Sequence, residues 1–288
     1  MQIFLTGGTG FIGSHYLNNL LRNNHKVVAL KRNDFSKTKI ILEKEPLWIK
    51  SNIANINEKY LLKKDLLVHL AAHSTQPPYD NLENCIQKNV LNPLSLFEKA
   101  YSVGIRRFLV VGSCFEYGLS ANSYDFIPPN APLLPVDTYP TSKAIASLAF
   151  TQWAIQKKVS LSIQRIFYVY GEGENKNRFY PLIKKAAREG RDFEMSNGQQ
   201  IRDISNVDLI ALKIYEESKR IILSKNFDVR ISNVGSGNNL SIKEFALDIW
   251  RKYSAKGKLK IGLLPYRDRE IMRYVPDLNQ INIIQNFE

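Results

Sequence analysis

The sequence predicts an α/β protein, a doubly wound parallel sheet with a smaller C-terminal lobe. Three observations lead there. Short apolar runs alternate with helix-period segments through the first 170 residues, a glycine cluster directly follows the first run, and the texture becomes polar and less regular after Tyr170-Gly171. Strands that alternate with helices imply parallel pairing through helical crossovers.

The runs Gln2–Thr6, Lys26–Leu30, Asp65–Ala72, Arg107–Gly112 and Ser160–Phe167 are rich in Val, Ile, Leu and Phe. They are too short for most helices and match strands buried on both faces. Between them, Ile12–Leu21 sets Ile12, Tyr16, Leu17, Leu20 and Leu21 on one helical face. Val90–Tyr101 and Pro140–Gln156 are predicted to be helical on similar grounds. The polar stretch Gly171–Asn177 then opens a different region. The expected division is a dinucleotide-binding domain over 1–170, to which about 201–236 returns, and a substrate lobe over 171–200 and 237–288. Such a lobe would close over the strand ends, where open α/β sheets bind ligands. No internal repeat of fixed period stands out.

Composition narrows the function classes. The net charge of +13 over 288 residues admits nucleic-acid binding. The basic residues are scattered, however, and no block of five or six like charges forms a basic arm. A Lys-rich solvated surface, or a basic cleft for a ligand carrying several phosphates, fits better, so no nucleic-acid partner is expected. No run approaches the ~18 apolar residues of a membrane span. Ile3-Phe4-Leu5 falls far short of a signal peptide's apolar region. A cytoplasmic protein without a membrane partner is expected. Cys85 and Cys114 are too few for a disulfide framework and too distant in sequence for a local metal pair. Two reduced thiols and no metal site follow.

Gly7-Gly8-Thr9-Gly10-Phe11-Ile12-Gly13 follows the first strand and opens the first helix. Glycines permit the tight turn and let backbone amides approach a pyrophosphate, and the helix N-terminus adds positive potential. Strand, turn and helix in this order distinguish a dinucleotide site from an ordinary glycine-rich turn. The second strand ends in Leu30-Lys31-Arg32. An acid there would bind the ribose hydroxyls of NAD, whereas Lys31 and Arg32 suit the 2′-phosphate of NADP. Asp34, deeper in the loop, is the opposing observation. NADP is the expected cofactor.

Together these residues resemble the extended short-chain dehydrogenase/reductases, the NAD-dependent epimerase/dehydratase family with its Rossmann-like sheet. The motifs are Thr6 to Gly13, His69 to Ala72, Asn89, Ser113 to Gly118, Tyr139 to Lys143, Arg165 to Gly171, Gly198 to Asp203 and Asn233 to Gly237. The resemblance implies that Leu70, Ala71, Ala72, Asn89 and Phe167 line the cofactor and that Asn52 and Ile53 meet its adenine. It places His73, Ser74, Arg178, Arg202 and Arg269 on the substrate, with Arg202 at the nucleotide diphosphate.

Tyr-x-x-x-Lys occurs four times, at Tyr60/Lys64, Tyr139/Lys143, Tyr180/Lys184 and Tyr215/Lys219. Only Tyr139/Lys143 follows a strand ending in Gly112-Ser113 at the family's spacing and starts a helix after a proline-rich loop. A spacing of four puts both side chains on one helical face. A nearby ammonium is expected to lower the tyrosine pKa toward general acid/base range. Ser113 would hydrogen-bond the reacting oxygen. By resemblance, hydride passes between nicotinamide and a sugar carbon while Tyr139 moves the hydroxyl proton and Lys143 holds the ribose.

Dehydratases of the family carry an Asp-Glu pair directly after the catalytic hydroxyl residue. Here Cys114 and Phe115 stand there, which disfavours dehydration. Lys31, Arg32 and the presence of Tyr168 in place of a frequent Asn lean toward an NADPH-consuming reductase. Within the family the chain resembles nucleotide-sugar 4-ketoreductases of the CDP-abequose/CDP-paratose synthase type, which serve surface-polysaccharide synthesis. A 4-epimerase with tightly held NAD is the alternative. A non-catalytic NADP sensor or RNA binder is the alternative from another class, and it would have no reason to keep Ser113, Tyr139 and Lys143 together. The family habit implies a homodimer through Val90–Tyr101 and Pro140–Gln156, whose apolar excess includes Phe150 and Trp153.

Overall fold

Gln2–Thr6 forms β1, and its alternate side chains serve two cores. Phe4 packs in one layer and Ile3 and Leu5 in the other. A strand buried on both faces cannot alternate apolar with polar, which explains the continuous apolar run. The computed structural model describes residues 1–224 and 227–284. After β1 come α1 (Phe11–Arg22), β2 (Lys26–Lys31), β3 (Leu47–Lys50), β4 (Leu66–His69), α2 (Leu82–Ile86), α3 (Asn92–Ser102), β5 (Arg107–Ser113), α4 (Thr138–Lys157) and β6 (Ser160–Ile166). The chain continues through β7 (Tyr168–Tyr170), α5 (Phe179–Glu189), β8 (Phe193–Met195), β9 (Ile201–Asn206), α6 (Val207–Leu223), β10 (Val229–Val234), β11 (Asn239–Ser241), α7 (Ile242–Lys252), β12 (Leu259–Ile261), β13 (Arg273–Tyr274) and β14 (Ile281–Ile284).

The main sheet has eight strands in the order β14-β10-β6-β5-β4-β1-β2-β3. All its neighbours run parallel except β10 and β14. Strand succession reverses between β1 and β4, so a crevice opens at their C-terminal ends, the usual ligand position. β9 pairs with β7, β11 and β13 in a smaller sheet, and β8 pairs with β12.

Four expectations need correction. β3 has no counterpart among the predicted strands, because only Ile49 of its four residues is buried at this sheet edge. The strand predicted over 65–72 ends at His69, since Leu70 and Ala71 turn to pass against Gly7. The helix predicted from Val90 begins at Leu82, where the Asn81 side chain accepts the Asn84 N–H. It then passes through a π-helical turn, Gln87–Leu91, before α3; such turns are frequent at functional sites, and this one carries the buried Asn89. Finally, 237–288 does not stay in the lobe, because β14 pairs antiparallel with β10 at the main sheet edge. Residues 285–288 of that expected lobe lie outside the described residues.

Phe150 and Trp153 do not form an outer face on α4. Both are buried against Phe97, with ring centroids 4.9 and 5.4 Å away, and Phe108 closes the cluster. The apolar excess read for a dimer thus fills the layer between α4, α3 and the sheet. On the opposite face α1 packs on α6, and the buried Tyr16 hydroxyl reaches Ser218 Oγ at 2.8 Å. Among the described residues no helix is long and apolar enough to cross a membrane.

Candidate active site

The glycine loop is a close-packed cradle. A Cβ on Gly7 would stand 2.4 Å from the Ala71 backbone nitrogen, and one on Gly13 would stand 2.0 Å from the Gly7 carbonyl oxygen. Gly7 also holds φ +80°. These contacts draw the β1 and β4 ends together and bring Leu70, Ala71 and Ala72 beside the loop. Gly10 is the N-cap of α1 and offers no side chain, and the first turn, beginning with Phe11 and Ile12, carries no acid. The orphan amides and the positive end of the helix dipole therefore stay available to an anion. A dinucleotide pyrophosphate fits this cradle.

At the end of β2, Lys31 is aligned with Lys50 of β3. Asp34 meets Lys50 at 2.8 Å and Lys31 at 3.7 Å, and the Lys50 hydrogen bond holds its carboxyl below the usual range. Its charge is thus shared between two lysines while Arg32 stands exposed. Lys50 was missed because only strand register places it here. Asn52 and Ile53 follow β3; Asn52 is exposed and caps its own turn by accepting the Asn55 N–H.

Ser113 ends β5, Tyr139 and Lys143 lie on the first turns of α4, and all three are buried. Ser113 hydrogen-bonds to Tyr139, which lowers the phenol pKa, but burial and then the Glu116 charge drive it up more strongly. This reverses the expected depression. The ammonium that was to supply it is buried itself, its pKa lowered, and its Nζ donates to the Val111 carbonyl at 2.8 Å. Tyr139 is consequently a neutral phenol across the physiological range. Tyr79 stacks on it, 5.7 Å between centroids at 29°. Nothing in the sequence pattern singles Tyr79 out.

Asn89 donates from Nδ2 to Ser142 Oγ and to the His73 carbonyl and accepts the His73 N–H. The His73 ring contacts Asp80 at 2.7 Å, and Ser74, at φ +60°, accepts the Asp80 N–H. Both substrate candidates are thus engaged in shaping the loop that delivers Tyr79. Phe167 is buried with Tyr117 and Tyr274 beneath the cleft.

Arg178 lies over the Tyr168 ring at 5.6 Å and Arg202 over Tyr274 at 5.9 Å. Their charges, with that of Arg267, reach Tyr168, and Arg178 and Arg267 also act on Tyr79. Arg269 turns into the left-handed region and is exposed. Arg267 is exposed as well, and its charge acts on Tyr79 and Tyr168, which sequence spacing does not indicate. Arg202 is also paired with Glu270 at 2.5 Å. Cys114 is buried beside them, its thiol pushed up to about 12 by burial. Among the described residues no three His, Cys, Asp or Glu side chains cluster as a metal site requires.

A reversed-order parallel sheet with an uncapped glycine cradle and a Ser-Tyr-Lys group at its strand ends defines a dinucleotide-dependent enzyme fold. The family described as NAD dependent epimerase/dehydratase matches residues 3–211, and the chain belongs to it. It is 24% identical to the CDP-abequose synthase of Salmonella muenchen over 94% of this chain and 87% of that one. It is 25% identical to the dTDP-6-deoxy-L-talose 4-dehydrogenase (NAD(+)) of Aggregatibacter actinomycetemcomitans, over 94% and 98%. The UDP-N-acetylglucosamine 4-epimerase of Methanobrevibacter ruminantium M1, solved with UDP-N-acetylmuramic acid, superposes at TM-score 0.84 with 24% identity over 96% of this chain and 89% of that one. At that identity the likeness is one of fold.

Proposed function

We propose that the protein reduces the C4 ketone of a nucleotide-activated 4-keto-6-deoxy sugar with NADPH. The observation that carries this reading is a buried Tyr139, neutral and hydrogen-bonded to Ser113, one helical turn from Lys143. Ketone reduction needs a proton at the carbonyl oxygen, and a neutral phenol supplies it. Ser113 orients that oxygen by donating its hydroxyl hydrogen, and the Lys143 ammonium favours the phenolate left after transfer. Gly7, Gly10, Phe11, Ile12 and Gly13 would hold the pyrophosphate, and Lys31, Arg32 and Lys50 the 2′-phosphate. When bound, the dinucleotide supplies the hydride. Arg178, Arg202 and Arg267 are suited to the substrate diphosphate through charge-assisted bonds. The positions of the dehydratase acid and base hold a thiol with its pKa raised to about 12 and a phenyl ring, so neither can ionise for elimination. The name of the Salmonella muenchen relative, CDP-abequose synthase, supports a CDP-linked sugar; a part in surface-polysaccharide synthesis belongs to the same reading. A homodimer belongs to the same reading, with Leu91 and Leu148 exposed beside the expected interface.

A second reading, a 4-epimerase retaining NAD, is favoured by one feature. The stretch after β2 folds back on α1, where the Lys39 N–H donates to Ser14 Oγ at 2.9 Å. A Cβ on Gly173 would lie 2.9 Å from the Lys39 carbonyl oxygen. That closed flank suits a cofactor that stays bound. One experiment separates the two: extract the purified protein for dinucleotide, then titrate NADPH and NADH. Little retained cofactor and an NADPH preference favour the reductase. Stoichiometric NAD favours the epimerase and removes the argument from Lys31 and Arg32. Tyr139→Phe is expected to abolish turnover while sparing cofactor binding; retained turnover would remove Tyr139 from the mechanism.

A further inference from the structure

Glu116 is fully buried two residues past Cys114, and its carboxylate ties together the elements that carry the candidate triad. Its Oε1 accepts the Ser113 backbone N–H at 2.7 Å. Its Oε2 accepts the Ser147 hydroxyl on α4 and Arg165 Nε on β6, each at 2.7 Å. Ser147 stands one turn beyond Lys143. Arg165 in turn donates to the Tyr117 hydroxyl and the Pro129 carbonyl, so the guanidinium is anchored away from the cleft. Burying a carboxylate is costly unless it is paired and fully bonded; here three donors satisfy it. We propose that Glu116 is a positioning residue that clamps the Ser113 strand end to the Tyr139–Lys143 helix. Burial is the main reason that Tyr139 stays protonated, and the Glu116 charge adds to it. This inference rests on the triad reading above.

Other ionisable groups face the same site. Cys114 and Tyr79 also act on Tyr139, and both raise its pKa. His69 of β4 lies near Lys143 and is neutral, its pKa lowered by burial to about 3. Asp80 and Lys88 are occupied with each other and with His73 on the α2 side. Arg178 and Arg267 reach Tyr79 from across the cleft. Among the described residues, Glu116 is the carboxylate whose charge acts on both Tyr139 and Lys143, and it pushes both pKa values upward.

The test compares the pH dependence of carbonyl reduction in wild type and variants. In the wild type, reduction is expected to stay level to at least about pH 9.5, where an ordinary phenol begins to ionise; a fall centred near pH 8 would overturn the role of the charge. Glu116→Gln alone strands Arg165 in the core and impairs folding, so Glu116→Gln/Arg165→Gln removes both charges together. Its alkaline limb is expected to move to lower pH. Its kcat should fall at least about tenfold while the KM for the dinucleotide stays within about twofold. An unmoved limb in a folded double variant overturns the role of the charge, and an unchanged kcat there overturns the positioning role. Ser147→Ala keeps both charges and cuts only the tether to α4. It should lower kcat without moving the limb, and an unchanged kcat overturns the clamp. If Tyr139→Phe itself retains turnover, the triad reading fails; if that variant is dead and these profiles are unchanged, only the role of Glu116 fails.

Discussion

Replacing Glu174 by Gln is expected to stabilise the protein above pH 7 and to change little below about pH 4.5. Neither carboxylate oxygen of Glu174 makes a hydrogen bond of good geometry, although the Gly171 backbone and Arg178 Nε, 3.2 Å away, both favour its charged form. The Arg178 side chain is 36% exposed and shares its charge with water. Burial outweighs that attraction and lifts the carboxyl from 4.5 to about 7. A group whose folded pKa is raised supports the fold below its unfolded pKa and loses that support as pH climbs to the folded value. Glu174 thus costs stability progressively between pH 4.5 and pH 7, reaching about 3 kcal/mol beyond that window. Glutamine carries no such charge. Urea unfolding of both proteins at pH 5 and pH 8 should show the variant's advantage growing by about 2.5 kcal/mol. The gap in thermal midpoints should widen by roughly 5–10 °C. An advantage equal at the two pH values would refute the assignment of a raised carboxyl to this position.

Gly13→Ala would put a methyl 2.0 Å from the Gly7 carbonyl oxygen; dinucleotide affinity measured by calorimetry should fall at least about tenfold as the cradle opens. Phe150, fully buried among Phe97 and Trp153, should cost about 3–5 kcal/mol on change to Ala, read from denaturant midpoints. Asp203 accepts the Ser236 N–H at 2.8 Å, the Gly237 N–H at 2.6 Å and the Ser205 hydroxyl at 2.7 Å. Asp203→Ala strands two backbone donors and should cost about 3 kcal/mol in the same assay, whereas Asp203→Asn should recover part of it.

The chemistry of this chain was legible wherever a short stretch carries its own physical demand. The run before Gly7 had to be a two-sided strand, and the glycines after it had to admit a close backbone approach. Tyr139 and Lys143 had to share a helical face. Those demands are local, and composition states them. Three-dimensional placement determined the rest. Register set Lys50 beside Lys31, and the fold after β12 brought the Arg267 charge within reach of Tyr79 and Tyr168. The sign of the Tyr139 shift lay beyond sequence as well, because its largest cause is burial of the phenol in the packed structure. A lysine four residues away is turned to a carbonyl, and a glutamate 23 residues upstream, buried where β5, α4 and β6 meet, adds to the effect of burial. Sequence thus determined which groups exist and which element bears them. Tertiary structure decided which charges lose their water together, and desolvation, being a property of the packed whole, sets their protonation.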